Sequence, residues 1–409
     1  MGIHRHARAR NPWCRVPRIY HVLDIRTDIR PTVAEIDLAA LRRNAERVAV
    51  ATAPAKLLAV VKADAYGHGA VACARALSPL VWGFAVSLVE EGVELRRAGV
   101  DKPIVVLGGF YGRAHLDVVA YSLTPVVFSV DDIERFSRAA DELASGRVGV
   151  HLLIDTGMGR LGVRPERLGR LLDAARRVPG IEVTGVATHL AEADAGEADP
   201  TAQQLNMFKN AQAEIVAAGF APETVHIANS AGALRFPEAR HELVRPGLAL
   251  FGHLPSSKVT LAGLEPVMRL VSRIVALREL PAGAGVSYGA LWRTTRPSRI
   301  ATIPIGYADG YTRRMTGRAH ALVAGRRVPV VGAITMDMTM LDVTDVPSGL
   351  GDEVTLLGAQ GPGDQSIGAE ELASWSDTIV YEVFCSVSKR VPRVYRGDNR
   401  ASAAVGVEA

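Results

Sequence analysis

A chain of 409 residues that is 48% hydrophobic, 5% aromatic and 22% charged is a folded protein too long for one ordinary core, so two domains are expected, one of which could be a whole α/β barrel. The net charge of +4 originates in residues 1–30, which hold seven arginines against two aspartates; the near-neutral body argues against a nucleic-acid binder. Cys14, Cys73 and Cys385 are odd in number and far apart, so no disulfide framework is expected and a reducing cytoplasm fits, while no run reaches the roughly 18 apolar residues of a membrane span.

Residues 1–30 carry neither the apolar run of a secretory signal nor a helical stripe and are expected to be a disordered basic extension. His4 and His6 lack a carboxylate or cysteine partner nearby, so no metal site is expected. A strand is predicted at 32–37 and a helix at 38–51. Apolar, β-branched runs then recur at 57–62, 82–87, 104–107, 124–129, 148–155, 183–189, 224–229 and 244–251. Helical spacing fills the gaps at 88–98, 130–144, 164–177, 202–218 and 231–236, which predicts an N-terminal (βα)8 TIM-type barrel over 31–265. After Pro266 the rhythm changes to consecutive β-runs at 267–280, 299–305, 319–323, 328–334, 339–343 and 352–357, with a turn at 325–327. With short helices at 369–375 and 380–387, this predicts a C-terminal all-β domain over 266–396 and a tail at 397–409.

In such a barrel, chemistry collects at the C-terminal ends of the strands. Those ends carry Lys62 with Tyr66, Arg160, His189, Ser230, and the segment Arg245-Pro246-Gly247. The chain has six lysines against 41 arginines, and a guanidinium cannot form an imine, whereas a lysine in apolar surroundings tends to lose its proton and attack a carbonyl. Singly, Lys62 reads equally well as a lysine snorkelling to solvent, Ser230 as a cap and Arg160 as a solvated arginine. Jointly they describe a pocket for a phosphorylated carbonyl compound, with backbone amides and Ser230 for phosphate and Lys62 for the imine.

The segment Ala59-Val60-Val61-Lys62-Ala63-Asp64-Ala65-Tyr66-Gly67-His68-Gly69 resembles the cofactor-lysine signature of the alanine racemases. Residues 155–162, 226–231, Gly285-Val286-Ser287-Tyr288-Gly289, 303–311 and Thr335-Met336-Asp337 are similar to other blocks of that family, and the resemblance spans 31–395. It implies a pyridoxal 5'-phosphate enzyme in which Lys62 holds the cofactor as an aldimine. Tyr66, Ser230, Gly247, Leu248 and Tyr381 would hold the phosphate, with Asn229 beside them. Arg245 would face the pyridine nitrogen with His226 behind it, and Arg160 would lie beside the cofactor's phenolic oxygen and the substrate.

The resemblance also implies two-base racemisation of alanine, Lys62 serving one face of Cα and Tyr288, hydrogen-bonded by His189, the other. Tyr288 would otherwise read as an ordinary aromatic in a turn. Tyr288 and Met336 would come from a second subunit, making a homodimer with shared sites, supported by Asp337, with Tyr307 and Tyr381 crowding the side-chain pocket. A cytoplasmic enzyme supplying D-alanine for peptidoglycan is the expected role. A decarboxylase of basic amino acids, which uses the same lysine, is disfavoured because the β-region lacks a Cys-(Glu/Asp)-Ser-x-Asp-type block. An exported broad-specificity racemase is disfavoured by the missing signal peptide, and a non-catalytic cofactor carrier by the β-domain. One departure stands out: Leu153 occupies the position of a lysine that is carbamylated in many family members, so a bound anion, an asparagine or an acid is expected beside Arg160.

Overall fold

The computed structural model describes residues 29–195, 199–361 and 365–397. The expected basic extension with His4 and His6, and the expected tail, lie outside the described residues except for Ile29, Arg30 and Gly397. Arg30 belongs to the folded body: its guanidinium donates to Asp309 Oδ1 at 2.7 Å.

Strand β1 (Val33–Asp37) leads into the helix Leu38–Thr52, which begins there because Asp37 Oδ1 accepts from the otherwise unpaired amides of Ala39 and Ala40, both at 2.9 Å. Eight parallel strands follow: β2 (Lys56–Val60), β3 (Gly83–Val86), β4 (Ile104–Val106), β5 (Thr124–Val127), β6 (Val148–Leu153), β7 (Ile181–Ala187), β8 (Thr224–Asn229) and β9 (Leu243–Arg245). They pair in chain order and close β9 onto β2 as a barrel. Their sequences are nearly unbroken apolar runs because one face fills the barrel and the other is covered by helices. Every predicted barrel run overlaps one of these strands, although the last ends early, where Leu248–Phe251 turns into a 3-10 helix.

The second unit contains β10 (Met268–Arg273), β11 (Ala276–Leu280), β12 (Gly285–Val286), β13 (Trp292–Arg293), β14 (Ser298–Ile303), β15 (His320–Val323), β16 (Arg326–Pro329), β17 (Thr339–Asp342), β18 (Glu353–Ala359), β19 (Ser366–Ile367) and β20 (Arg393–Arg396). Its main sheet has the order β16-β15-β18-β10-β1-β20, with β19 on β18; β11-β14-β17 and β12-β13 form smaller sheets. Three expectations are corrected. Strand β1 belongs to this sheet, antiparallel to β10 and parallel to β20, so the chain enters the second unit before it builds the barrel. The run at 267–280 is two strands in different sheets. The turn near 325 sits at Ala324 and Gly325, whose φ values of 47° and 72° suit a two-residue hairpin, and Arg326 and Arg327 are therefore strand.

The helix Val380–Ser386 lies against the turn after β2: the Phe384 ring is 5.0 Å from His68, and Arg393 Nε donates to Gly67 O at 2.9 Å. The second unit thus covers one side of the barrel mouth. Among the described residues no helix is long and apolar enough to cross a membrane.

Candidate active site

After β2 the backbone makes a turn of the opposite hand. Ala63, Asp64, Ala65 and Tyr66 have φ values of 53° or 54°, a conformation that costs L-residues on the order of 1–2 kcal/mol each. Polar contacts hold it. The Ala63 amide donates to Glu91 Oε1 at 2.6 Å, the Ala70 amide to Asp64 Oδ1 at 2.7 Å, and His68 Nδ1 to the carbonyls of Ala65 and Tyr66 at 3.0 and 2.9 Å. Glu91 Oε2 takes the amides of Ser87 and Leu88 at 2.8 and 3.0 Å, tying the neighbouring rim loop to the same carboxylate. The turn places Lys62 in the barrel mouth and Tyr66 beside the end of β9.

Lys62 lines a cavity of about 270 Å³ together with Leu153, Met158, Arg160, His189 and Arg245. Three cations and no carboxylate line it, so it favours an anionic guest. Burial, and then the charge of Arg160, push the Lys62 ammonium below the ordinary lysine range, while Glu91 opposes them. A larger fraction of neutral, nucleophilic amine results.

Arg245 is buried, with 4% of its surface exposed. Its Nη1 donates to His226 Nδ1 at 2.9 Å and to His226 O; its Nη2 reaches Thr188 O at 2.8 Å, Ile227 O at 2.9 Å and His189 Nδ1 at 3.0 Å. All these partners are neutral acceptors. Burial and the charge of Arg160 push Arg245 down to about 10, leaving it cationic at neutral pH. His189 is pushed down to about 3 by burial and by Arg245, Arg160 and Lys62, so its ring is neutral.

A second corner of the mouth gathers Tyr66, Ser230, Gly247 and Leu248. Ser230 Oγ accepts from the Gly247 amide at 3.0 Å, and a Cβ at position 247 would collide with Tyr66 Oη, so only glycine lets the phenol lie against this backbone. Burial raises the Tyr66 phenol well above its ordinary range and keeps it a donor. The Leu248 amide opens the 3-10 helix Leu248–Phe251, and the Tyr381 ring lies 5.7 Å from that of Tyr66. Asn229 is engaged locally: its Oδ1 caps the helix Ser230–Arg235 by accepting from the Gly232 amide at 2.9 Å.

Tyr288, Tyr307, Met336 and Asp337 are not brought to this cavity within one chain. Tyr288 is 71% exposed and Met336 52%, with Tyr307 also exposed. They share one face: the Tyr307 and Ala308 amides donate to the carbonyls of Thr335 and Met336, both at 3.0 Å, and Ser287 Oγ donates to Ala333 O at 2.7 Å. Asp337 pairs with Arg390 at 2.7 Å on the surface. Tyr307 therefore does not crowd the Lys62 pocket of its own chain.

Among the residues that line the cavity with Arg160 there is no asparagine or acid: Leu107, Val126, Leu153 and the Gly108-Gly109 loop contribute to the lining, and no ion pair of Arg160 occurs among the described residues. Two further residues support the site's geometry: Glu91 and His151. Glu91 sits three residues after Leu88 at a helix start, where a capping carboxylate is common, and that signal was available. His151, buried inside the barrel and bonded to His226, is marked in the sequence only as the histidine two residues before Leu153 in the family block, with no role attached.

The family described as alanine racemase, N-terminal domain, matches residues 36–255, and alanine racemase, C-terminal domain, matches 267–395. An alanine racemase of Sorangium cellulosum is 45% identical over 378 residues, covering 90% of this chain and all of that protein; one of Geobacter sulfurreducens is 46% identical over 379 residues, covering 90% and 98%. Among solved structures, the alanine racemase of Bacillus anthracis with bound L-Ala-P superposes with a TM-score of 0.84 at 36% identity, covering 90% of this chain and 95% of that one. That of Streptomyces coelicolor gives 0.86 at 36%, covering 92% and 100%. With a closed eight-strand barrel, an antiparallel second unit and both domain matches in place, the chain belongs to the alanine racemases, the pyridoxal 5'-phosphate-dependent isomerases that interconvert L- and D-alanine.

Proposed function

We propose that Lys62 and Tyr288 are the two proton-transfer groups of this isomerase, and that each working site joins the barrel of one chain to the Tyr288 face of another in a homodimer. One observation carries the reading: the cavity holds an activated lysine while Tyr288 and Met336 stand exposed on a separate face of the same chain.

The residues present fit the cofactor. The Tyr66 phenol packed on Gly247, the Ser230 hydroxyl and the Gly247 and Leu248 backbone suit its phosphate, and a buried arginine with only neutral partners suits a ring nitrogen that accepts a hydrogen bond. Bound there, pyridoxal 5'-phosphate supplies an aldehyde for amine condensation and a conjugated ring that makes the substrate Cα–H acidic. Arg245, a donor that cannot readily give up its proton, limits how strongly the ring draws electrons, which favours returning the proton to Cα. Lys62, with its lowered proton affinity, exchanges that proton on one face. Tyr288 serves the other. A phenol with an ordinary pKa near ~10 needs cationic neighbours to act as a base at neutral pH, and Arg160 with the barrel's positive mouth provides them. We further read the enzyme as cytoplasmic, supplying D-alanine for peptidoglycan.

The test is complementation. Lys62→Ala and Tyr288→Phe chains, each inactive, are mixed under conditions that exchange subunits, and alanine is analysed by chiral chromatography. With random pairing in a twofold dimer, about a quarter of the wild-type sites should return. No recovery despite demonstrated exchange would sink the shared-site reading.

A further inference from the structure

The geometry points to His151 as a positioning residue that locks the tautomer of His226 and, through it, the aim of the Arg245 guanidinium. The argument starts from Arg245, which can only donate. Its Nη1 lies 2.9 Å from His226 Nδ1, so that nitrogen must present its lone pair and the ring proton must sit on Nε2. His226 Nε2 is 2.8 Å from His151 Nδ1, which therefore accepts. His151 then carries its own proton on Nε2, 3.3 Å from Thr224 Oγ1, and that hydroxyl passes its hydrogen to Thr184 O at 3.3 Å. Only one arrangement of protons satisfies the whole chain. If His226 took the other tautomer, its Nδ1–H would confront the Arg245 Nη1–H, donor against donor.

The surroundings are built for this ring. His151 and His226 are buried, and the register of β6 against β7 shifts at His151. The partner position in β7 is Gly185, where a Cβ would collide with the His151 imidazole. Burial pushes His151 down to about 4 and His226 well below the usual histidine range, helped by the charge of Arg245, so both rings stay neutral over the working pH range. Without an acceptor at His151, the buried Nε2–H of His226 would be unpaired, and the tautomer that frees it is the one that repels Arg245.

The consequence for catalysis rests on the reading that Arg245 meets the cofactor ring, but the tautomer does not, so the two are measured separately. The holoenzyme is labelled with ¹⁵N-histidine, and long-range ¹H–¹⁵N spectra report which ring nitrogen of His226 is protonated, the signal being assigned by its loss in His226→Gln. In the wild type the proton should be on Nε2. His151→Phe keeps ring volume but removes the acceptor; His226 should lose the Nε2–H pattern, and kcat should fall roughly 10–100-fold with KM changed less. His151→Asn, whose Oδ1 can stand where Nδ1 stood, should restore the pattern and most of kcat. A wild-type proton on Nδ1 overturns the inference, and so does a His151→Phe protein that keeps the Nε2–H pattern whatever its activity. If His151→Phe does not fold, the wild-type and His151→Asn spectra decide. An altered tautomer with unchanged kcat would leave the lock standing and refute the contact of Arg245 with the ring.

Discussion

The barrel mouth and the Tyr288 face, proposed above as the two halves of one site, are built in opposite ways. At the mouth, cations are packed against neutral acceptors, and an unfavourable left-handed turn is held by Glu91, Asp64 and His68. On the Tyr288 face, Tyr288, Leu291, Met336 and Met338 stand exposed. The mouth resembles a finished binding site, while the face resembles half of an interface, an apolar surface of the sort a partner covers. On the shared-site reading, the contrast teaches that preorganisation is divided between chains: one stores it in internal hydrogen bonds, and the other completes it only on association.

The hardest blow to the finished half is Lys62→Ala. Removing the only lysine that lines the cavity should cost at least about 10⁴-fold in racemisation and abolish the borohydride-reducible adduct together. An adduct mapping to Lys56 or Lys102 would move the site elsewhere. The matching blow to the open half is Tyr288→Phe, expected to cost about 10²–10⁴-fold in kcat. Because Tyr288 is 71% exposed within its own chain, the urea midpoint should shift by no more than about 1 kcal/mol equivalent. A large stability loss would mean that Tyr288 acts in folding, and the comparison between the halves would fail.

The finished half should also be the acid-sensitive one. His68, His151, His189 and His226 are all held below the ordinary histidine range by burial. In the unfolded chain they would titrate near ~6.5, so below that pH the unfolded state binds protons that the folded state refuses, and stability falls with falling pH. At pH 5 each such histidine should cost roughly 2 kcal/mol relative to pH 8. The effect is complete once pH drops through the folded-state values near 3 to 4. Urea midpoints across pH 5 to 8 check this, and a flat profile would mean that these rings are not neutral in the fold.

How much of this was legible in the sequence follows the same divide. Barrel strands announce themselves because burial on both faces demands unbroken apolar runs, and strand-end residues such as Lys62 and Arg245 stand out against them. Strand β1 reads from sequence as part of the barrel unit because pairing partners more than 230 residues away, such as Met268 for Ile36, leave no local trace. The role of His151 is equally silent, since a histidine inside a barrel strand is explained only by the ring it meets from another strand. Tyr288 stands out only through the family resemblance of its segment, since exposure of an aromatic in a turn leaves no mark in composition or spacing.

The smallest expected effect concerns Leu153. An amine is required to take up carbon dioxide as a carbamate, and Leu153 has none; of the six lysines, Lys62 alone lines the cavity. We propose that Arg160, which has no ion-pair partner among the described residues, is instead oriented by a bound anion such as chloride. A charge-assisted hydrogen bond to it would be worth about 1.5–3 kcal/mol if well desolvated, and less here because Arg160 is exposed. Stripping bicarbonate from the buffer should therefore leave activity within about twofold, since no step of proton transfer depends on it. The comparison is sharpened by Leu153→Lys, which restores an amine beside Arg160 and should make activity respond to bicarbonate. A wild-type enzyme that loses activity reversibly on bicarbonate removal would show that another group does the work of the carbamate, and the role given to Leu153 would be wrong.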